Sequence, residues 1–337
     1  RQERRKSSHV PHQYHMTHWA AERTIDFIQR WDGQRPFFCL MSIFDPHSPY
    51  DDYPLEMEGL IDRARIPEPV LVPGEMETAP RGLRRQWQRI AHGAYGRLSP
   101  EGIRQARLGY HVSIALADLE MGRVLQALEA KGIAENTLVL FTSDHGDMMG
   151  DHHLFTKGAF FYDPCVRVPL IARWPRRLPA GRRVPALVQT HDLAATILNA
   201  AGYPRDQIAQ VMPESRDLVP LACGDQASIR DHAVCCFRNS VYGDGDIYFD
   251  PPLHATMIRD ERYKLSVYHD LEGVGSGLEC LLYDMEQDPD ETNDLWHDPA
   301  HQDVTMRLLH KLLDWTTSQE LKLGSRGGEA PVRPGHE

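Results

Sequence analysis

The hydrophobic pattern predicts buried strands in the first two thirds of the chain. Three apolar runs have the length of strands, at residues 36–44 (PFFCLMSIF), 137–142 (TLVLFT) and 166–175 (VRVPLIARWP). Continuous apolar runs of this length are typical of strands that are covered on both faces of a parallel sheet. The third run contains Pro169, which is tolerated more easily near a sheet edge.

Helical periodicity separates these runs. Residues 18–31, 101–131 and 190–202 carry apolar side chains three and four positions apart. Gly132 is expected to end the second of these helices, and Gly202 the third. The alternation of strands and helices predicts an α/β fold in which helices sandwich a mainly parallel sheet.

The pattern changes after about residue 215. Residues 254–269 alternate apolar and polar positions on both sides of Asp260 and Glu261, which predicts a β-hairpin. A terminal helix is expected through residues 306–315. We therefore predict a frayed start at 1–17, an α/β core at 18–215, a small C-terminal α+β subdomain at 216–318, and a flexible tail at 319–337.

Composition and charge narrow the class of partner. The net charge of −11 and the pI of about 5.9 do not favour nucleic acid, and no apolar run approaches the roughly 20 residues that a membrane span needs. The six cysteines form no CxxC pair, which favours a reducing compartment. A cytoplasmic location is the expectation, although an export signal would lie upstream of this chain.

One loop concentrates residues that bind ions. It follows the strand at 137–142 and reads SDHGDMMGDHHLFTKG. Asp144 offers oxygen ligands to a hard cation, and His145 offers an imidazole to a cation or an anion. Lys157 could bring an ammonium to an anionic substrate. The other interpretation is a solvated acidic loop, and the residue types alone do not separate the two.

A second loop follows the strand at 36–44 and reads FDPHSPY. Because ligands bind at the carboxyl ends of strands in α/β sheets, His47 would lie at the same edge as Asp144. An imidazole there could donate to an oxyanion or protonate a leaving oxygen. A purely structural histidine between two prolines is the alternative.

The two loops together resemble the sulfatase family of the alkaline phosphatase superfamily, which also includes phosphonate and phosphate ester hydrolases. The segments THDLAATILNAAG, RYKLSVYH and LYDMEQDPDETNDL resemble later parts of the same family. The resemblance extends from about residue 18 to about residue 315. It implies an alkaline phosphatase-like core, a small C-terminal subdomain and a small anionic ester as substrate.

The resemblance also implies a role for each candidate residue. Asp144 and His145 match the metal ligands, and the cation expected is Ca²⁺, with Mn²⁺ or Mg²⁺ as alternatives. A histidine at the second position is closer to the phosphonate monoester hydrolases than the more common asparagine. Lys157 matches the lysine that contacts the transferring group, and His47 matches the histidine at the leaving oxygen.

Two further histidines of the loop, His152 and His153, have no secure counterpart in the family, and we expect them to be polar surface residues.

The family's nucleophile motif is missing from these 337 residues. The family forms formylglycine from the first residue of a CxPxR-type motif, and no cysteine or serine here begins CxPxR or SxPxR. The strand that ends in two metal-binding aspartates is also missing. Three explanations compete: a truncated part of a longer enzyme, a non-catalytic paralogue that binds an anion or metal, or a hydrolase that activates water directly. The first two predict that this chain alone is inactive.

Overall fold

Two units divide the chain: residues 1–78 with 84–230 form the first, and residues 79–83 with 231–337 form the second. The computed structural model describes residues 10–92, 98–238, 253–270 and 278–324 within them. No helix in these ranges has the length and apolarity that a membrane crossing requires.

The described helices and strands follow one another along the chain with several short 3₁₀ turns between them. The helices are α1 (Met16–Arg30), α2 (Glu75–Thr78), α3 (Arg81–His92), α4 (Pro100–Ala130), α5 (Asp163–Val166), α6 (Asp192–Ala200), α7 (Arg205–Val211), α8 (Val219–Cys223) and α9 (Gln302–Gly324). The strands are β1 (Val139–Thr142), β2 (Leu170–Arg173), β3 (Ala233–Arg238), β4 (Leu253–Arg259), β5 (Tyr263–Asp270) and β6 (Glu279–Asp284).

Helix α4 is the longest helix of the first unit, and its sequence determines both of its ends. Ser99 caps the N-terminus by accepting from the backbone N–H of Gly102 at 3.1 Å, and Pro100 occupies the first turn. Gly132 has a φ of +75°, and the N–H of Ile133 donates to the carbonyl of Leu128 at 3.1 Å. These contacts satisfy backbone groups that the helix termini would otherwise leave unpaired.

Helix α1 packs against α4. Ile28 and Leu128 are buried at the contact, and Phe37 and Val139 pack against them. The contact therefore places the start of β1 and the segment after α1 next to the same apolar cluster.

The prediction of a buried strand at 36–44 is wrong. The segment is extended but is not part of a described ladder, and Phe38, Leu40 and Phe44 are exposed by 68%, 78% and 57%. Phe37, by contrast, is half-buried against the α1–α4 cluster. Met41 and Ile43 are also half-buried, whereas Cys39 is exposed, so the described residues cover only part of the segment.

Strand β1 pairs with β2 in antiparallel register, with Leu140 opposite Ala172 and Phe141 opposite Ile171. The sequence predicted parallel neighbours for both strands, and the described ladders contain no parallel pair. The apolar runs located the two strands correctly. Whether the two strands run parallel or antiparallel depends on the connection between them, which passes through α5. Hydrophobic periodicity carries no information about this connection.

The second unit contains a four-stranded antiparallel sheet in the order β3-β4-β5-β6. The hairpin expected around Asp260 is confirmed: Arg259 pairs with Lys264, and the Asp260 carboxylate accepts from the N–H of Tyr263 at 2.7 Å. Helix α9 contributes Leu308 and Leu312 to the apolar core on this sheet. A small α+β unit therefore forms the C-terminal part, as predicted.

Both predicted ends are more ordered than expected. A 3₁₀ helix spans His12–Tyr14 and Thr17 is buried, so the part of the start at 1–17 that the structure describes is folded. Helix α9 continues to Gly324 into the expected tail at 319–337, whose remainder lies outside the described residues.

The first unit continues to residue 230, past the predicted boundary at 215/216. Buried Asp192 is the reason, because Arg230 donates to both of its carboxylate oxygens and the backbone N–H of Arg216 donates to one of them at 2.9 Å. This carboxylate ties residues 216–230 to α6.

Candidate active site

The loop that follows β1 folds back on itself. The N–H of Met148 donates to the carbonyl of Thr156 at 2.9 Å, and the N–H of Gly150 donates to that of Leu154 at 2.8 Å. At the base of the loop, the N–H of Gly146 donates to the Cys165 carbonyl at 2.7 Å. A Cβ at Gly146 would lie 2.0 Å from the Pro164 carbonyl oxygen, so only glycine permits this approach. Because Thr156 is bonded to Met148, the next residue, Lys157, lies close to the first half of the loop.

Polar side chains further along the loop attach it to other elements. The Tyr50 hydroxyl donates to Asp147 at 2.8 Å, and this bond joins the FDPHSPY segment to the loop. Asp151 accepts from the N–H of Val70 at 2.9 Å and from the Arg107 guanidinium at 3.2 Å. These two acids therefore hold the loop in place.

The two additional histidines differ from each other. His152 is 1% exposed, donates to Glu75 at 2.8 Å and stacks on Tyr162 with ring centres 3.9 Å apart. The expectation of a polar surface residue is wrong for His152, because the loop turns its ring inward. His153 is exposed, and its Nε2 lies 3.1 Å from the Val72 carbonyl.

The FDPHSPY segment is fixed at both ends. Thr17 donates to Asp45, and the His15 ring lies 3.5 Å from the same carboxylate. Burial raises the pKa of Asp45, although the Thr17 hydrogen bond and the His15 charge act in the opposite direction. His47 lies between these anchors and Tyr50, with its ring centre 4.6 Å from that of Phe44.

His47 and Lys157 are in direct contact. The Lys157 Nζ lies 2.6 Å from His47 Nε2, although 110 positions separate the two residues. His47 Nδ1 lies 2.7 Å from the Ser48 carbonyl oxygen. Because a carbonyl only accepts, Nδ1 carries the proton, and the unprotonated Nε2 accepts from the ammonium. The geometry therefore assigns a neutral His47 beside a charged Lys157.

Asp144 and His145 form a second pair. The Asp144 side chain is 84% exposed, and its Oδ2 lies 3.5 Å from His145 Nε2. His145 Nδ1 donates to the Gly146 carbonyl at 3.0 Å, which leaves the Nε2 lone pair available. Metal-binding histidines commonly use their second nitrogen in this way. A separation of 3.5 Å also suits adjacent ligands of one cation with bonds of about 2.3–2.4 Å, so the pair fits a shared divalent ion.

Within the described residues, no hydrogen bond or ion pair joins His47 and Lys157 to Asp144 and His145. The pair also lacks a third ligand there, because the one cluster of three or more metal-type side chains in those ranges lies elsewhere, at His12, His18 and Glu120. Sequence reasoning did not identify that cluster. About one hundred positions separate Glu120 from the two histidines, and no motif connects them.

Comparison with known families identifies the chain's relatives. The profile of the family described as Sulfatase matches residues 2–203. The profile described as N-sulphoglucosamine sulphohydrolase, C-terminal, matches residues 150–318. The first match covers more than half of the chain.

Individual relatives support the same assignment. An arylsulfatase of Clostridium perfringens is 33% identical over 190 residues, which are 56% of this chain and 38% of that protein. The multifunctional alkaline phosphatase superfamily protein PehA of Trinickia caryophylli is 27% identical over 342 residues, with coverage of 93% and 62%.

A solved structure shows the same fold. The phosphonate monoester hydrolase of Agrobacterium radiobacter superposes with a TM-score of 0.73 at 24% identity, with coverage of 92% of this chain and 62% of that one. The chain thus spans less than two thirds of the length of these proteins. The alkaline phosphatase-like α/β fold with a small C-terminal unit is confirmed, and the chain belongs to the sulfatase family.

Proposed function

We propose that this chain carries part of the active site of a hydrolase that acts on small monoesters of sulfate, phosphonate or phosphate. The contact between Lys157 Nζ and His47 Nε2 carries this proposal. Two side-chain nitrogens from distant loops meet there, and a tetrahedral anion presents several oxygens that can accept from the Lys157 ammonium and from a protonated His47. Charge-assisted hydrogen bonds of this kind are about twice as strong as neutral ones.

The protons can be followed through the proposed reaction. In the free protein the Lys157 ammonium donates to His47 Nε2. When an anionic ester enters, the ammonium turns to its non-bridging oxygens and releases Nε2. That nitrogen then takes up a proton from the buffered solvent, while the Nδ1–H bond to the Ser48 carbonyl keeps the ring oriented. When a nucleophile from outside these 337 residues bonds to the sulfur or phosphorus atom, the bond to the bridging oxygen breaks, and the protonated His47 gives its proton to that oxygen as the alcohol leaves.

A divalent cation completes the proposal. Asp144 Oδ2 and His145 Nε2 would hold it, and when bound it offsets the negative charge that develops on the transferring group. The sequence favours Ca²⁺, whereas the imidazole ligand also suits Mn²⁺. The high exposure of Asp144 leaves room for additional oxygen ligands.

The nucleophile is not one of these 337 residues in this proposal, because none of them begins a CxPxR or SxPxR motif. We therefore expect the chain to bind an anion without turning over an ester. Aryl sulfates and phosphonate monoesters, assayed with and without Ca²⁺ or Mn²⁺, check this expectation. If the wild type turned over an ester and Lys157→Ala abolished this turnover, the expected inactivity would be wrong. The assignment of Lys157 to the active site would still stand.

Anion binding tests the site itself. Isothermal titration of the full chain with phenylphosphonate should show binding that Lys157→Ala weakens by about 10-fold to 100-fold, the equivalent of one charge-assisted hydrogen bond. His47→Ala should weaken it less, because His47 is neutral in the free protein and must take up a proton before it donates to the anion. The matched control is Lys131→Ala, which removes an exposed lysine that donates to the Gln29 carbonyl at 2.7 Å.

Binding by the Lys131 variant should equal that of the wild type. An absence of wild-type binding, or equal weakening by Lys131→Ala and Lys157→Ala, would refute the proposed function.

A further inference from the structure

Two histidines and a glutamate that are not among the candidate active-site residues converge on one point. His12 Nε2 lies 2.5 Å from Glu120 Oε1, and His18 Nδ1 lies 2.9 Å from the same oxygen. The three ligand atoms all lie within 4.8 Å of one another. The residues come from three places: the 3₁₀ helix His12–Tyr14, α1 and α4.

Glu120 is a buried carboxylate with no exposed surface. Its second oxygen, Oε2, accepts from the Arg123 guanidinium at 2.7 Å, and Arg123 also donates to Glu22. Oε1 is therefore the oxygen that faces the two histidines.

His18 Nδ1 lies 2.9 Å from Glu120 Oε1, so in the metal-free protein an Nδ1–H donates to this carboxylate oxygen. Arg123 approaches the same ring nitrogen to 3.1 Å, but its N–H group donates to Glu120 Oε2 at 2.7 Å. A divalent cation can take the place of the His18 proton, because metal binding to a histidine uses the deprotonated nitrogen. The bond from Arg123 to Oε2 does not involve that proton.

We propose that His12 Nε2, His18 Nδ1 and Glu120 Oε1 bind a divalent transition-metal ion of the Zn²⁺ type. Two imidazoles, one carboxylate and a water molecule complete a four-coordinate site of the kind that zinc prefers. The His12 and His18 side chains are 25% and 19% exposed, so water reaches the open position. Arg123 then supports the ligand carboxylate through its second oxygen.

The surrounding structure prepares this site. The backbone N–H of His12 donates to Glu56 at 2.7 Å, which fixes the short helix that carries the first ligand. Ligand atoms around a tetrahedral zinc ion lie about 3.3 Å apart, so the His12 contact with Glu120 needs to open by about 0.8 Å and the His18 contact by about 0.4 Å.

Metal titration of the full chain, expressed without a polyhistidine tag and stripped with chelator, tests the proposal. Zn²⁺ is followed by calorimetry and Co²⁺ by its visible absorption, since four-coordinate Co²⁺ gives a distinctive spectrum. We expect one site with the four-coordinate spectrum. The double variant His12→Ala/His18→Ala should bind more than about 100-fold more weakly, because the loss of a supporting residue alone costs about 10-fold to 100-fold.

Two control variants separate the possible outcomes. His12→Gln alters only the more exposed ligand and should weaken binding even if the double variant folds poorly. Asp144→Asn/His145→Ala removes the proposed active-site ligands and should keep the Co²⁺ spectrum. If the wild type binds neither metal, or if the signal survives in the His12 and His18 variants and disappears in the Asp144 and His145 variant, the inference is refuted. The proposed function depends on neither result.

Discussion

Gly109 lies where the FDPHSPY segment meets α4. A Cβ at this position would lie 1.7 Å from the Tyr50 carbonyl oxygen and 2.8 Å from the Tyr53 ring. Tyr50 in turn donates to Asp147 in the loop after β1. One glycine therefore sets the distance between α4 and the segment that carries His47.

Gly109→Ala should destabilise the protein by about 1–3 kcal/mol, because the methyl group displaces backbone rather than a flexible side chain. It should also weaken anion binding, since His47 moves with Tyr50. Urea unfolding followed by circular dichroism, together with phenylphosphonate titration, measures the two effects.

The matched control is Gly122→Ala on the same helix, where an added Cβ meets nothing within 4 Å. Helix propensity predicts that this variant gains up to about 1 kcal/mol. If the two substitutions had equal effects, the close approach at Gly109 would not restrict the loop.

At the scale of elements, a buried ion pair joins β5 to the segment after β6. Lys264 and Glu291 lie 2.7 Å apart, and their side chains are 1% and 2% exposed. Tyr283, which lies opposite Lys264 on β6, is 4% exposed, so the ion pair lies in a buried part of the unit. Each of the two charges therefore offsets the cost of burying the other.

Lys264→Met should destabilise the protein by about 3–5 kcal/mol, because the buried Glu291 loses the opposite charge of Lys264. Adding Glu291→Gln should recover part of the loss. Urea unfolding of both single variants and the double variant gives the coupling energy by a double-mutant cycle.

Lys311→Met provides the control for this prediction, since Lys311 forms an ion pair with Asp231, whose side chain is 70% exposed. An exposed pair contributes about 0–1 kcal/mol. If Lys264→Met lowered the free energy of unfolding by no more than Lys311→Met does, burial would not be the reason for the contribution of the Lys264–Glu291 pair.

At the scale of the whole molecule, several paired carboxylates link stability to pH. Hydrogen bonds from Arg262 lower the pKa of Asp284, which is 5% exposed and accepts from that guanidinium at 2.6 Å. A carboxyl whose pKa is lower in the folded state stabilises the fold above its unfolded pKa of about 4. This contribution is lost as the pH falls through the folded value.

Asp284→Asn should therefore lower the free energy of unfolding by about 1–3 kcal/mol at pH 7. The difference from the wild type should shrink as the pH falls below about 4, because the unfolded carboxyl is protonated first and the folded carboxyl only at its lower pKa. Urea midpoints at pH 3, 4, 5 and 7 check this. If the difference in the free energy of unfolding between the variant and the wild type stayed constant across that range, the shape of the side chain rather than its charge would account for the loss of stability.

Local sequence determined much of this protein. The cap at Ser99, the apolar periodicity and Gly132 specify α4, because helix ends depend on neighbouring residues. The alternating pattern specifies the β4–β5 hairpin for the same reason. The two loop motifs indicated the family and predicted that His47 and Lys157 act at one site, and the two side chains lie in contact in the structure.

Only the tertiary structure decided the rest. Several apolar side chains of the run at 36–44 are exposed. A run of apolar residues does not by itself show which other elements cover those side chains. The convergence of His12 and His18 on Glu120 depends on how α1 packs against α4, which brings together residues about one hundred positions apart. Local interactions are encoded in neighbouring residues, whereas contacts between distant residues depend on the packing of whole elements.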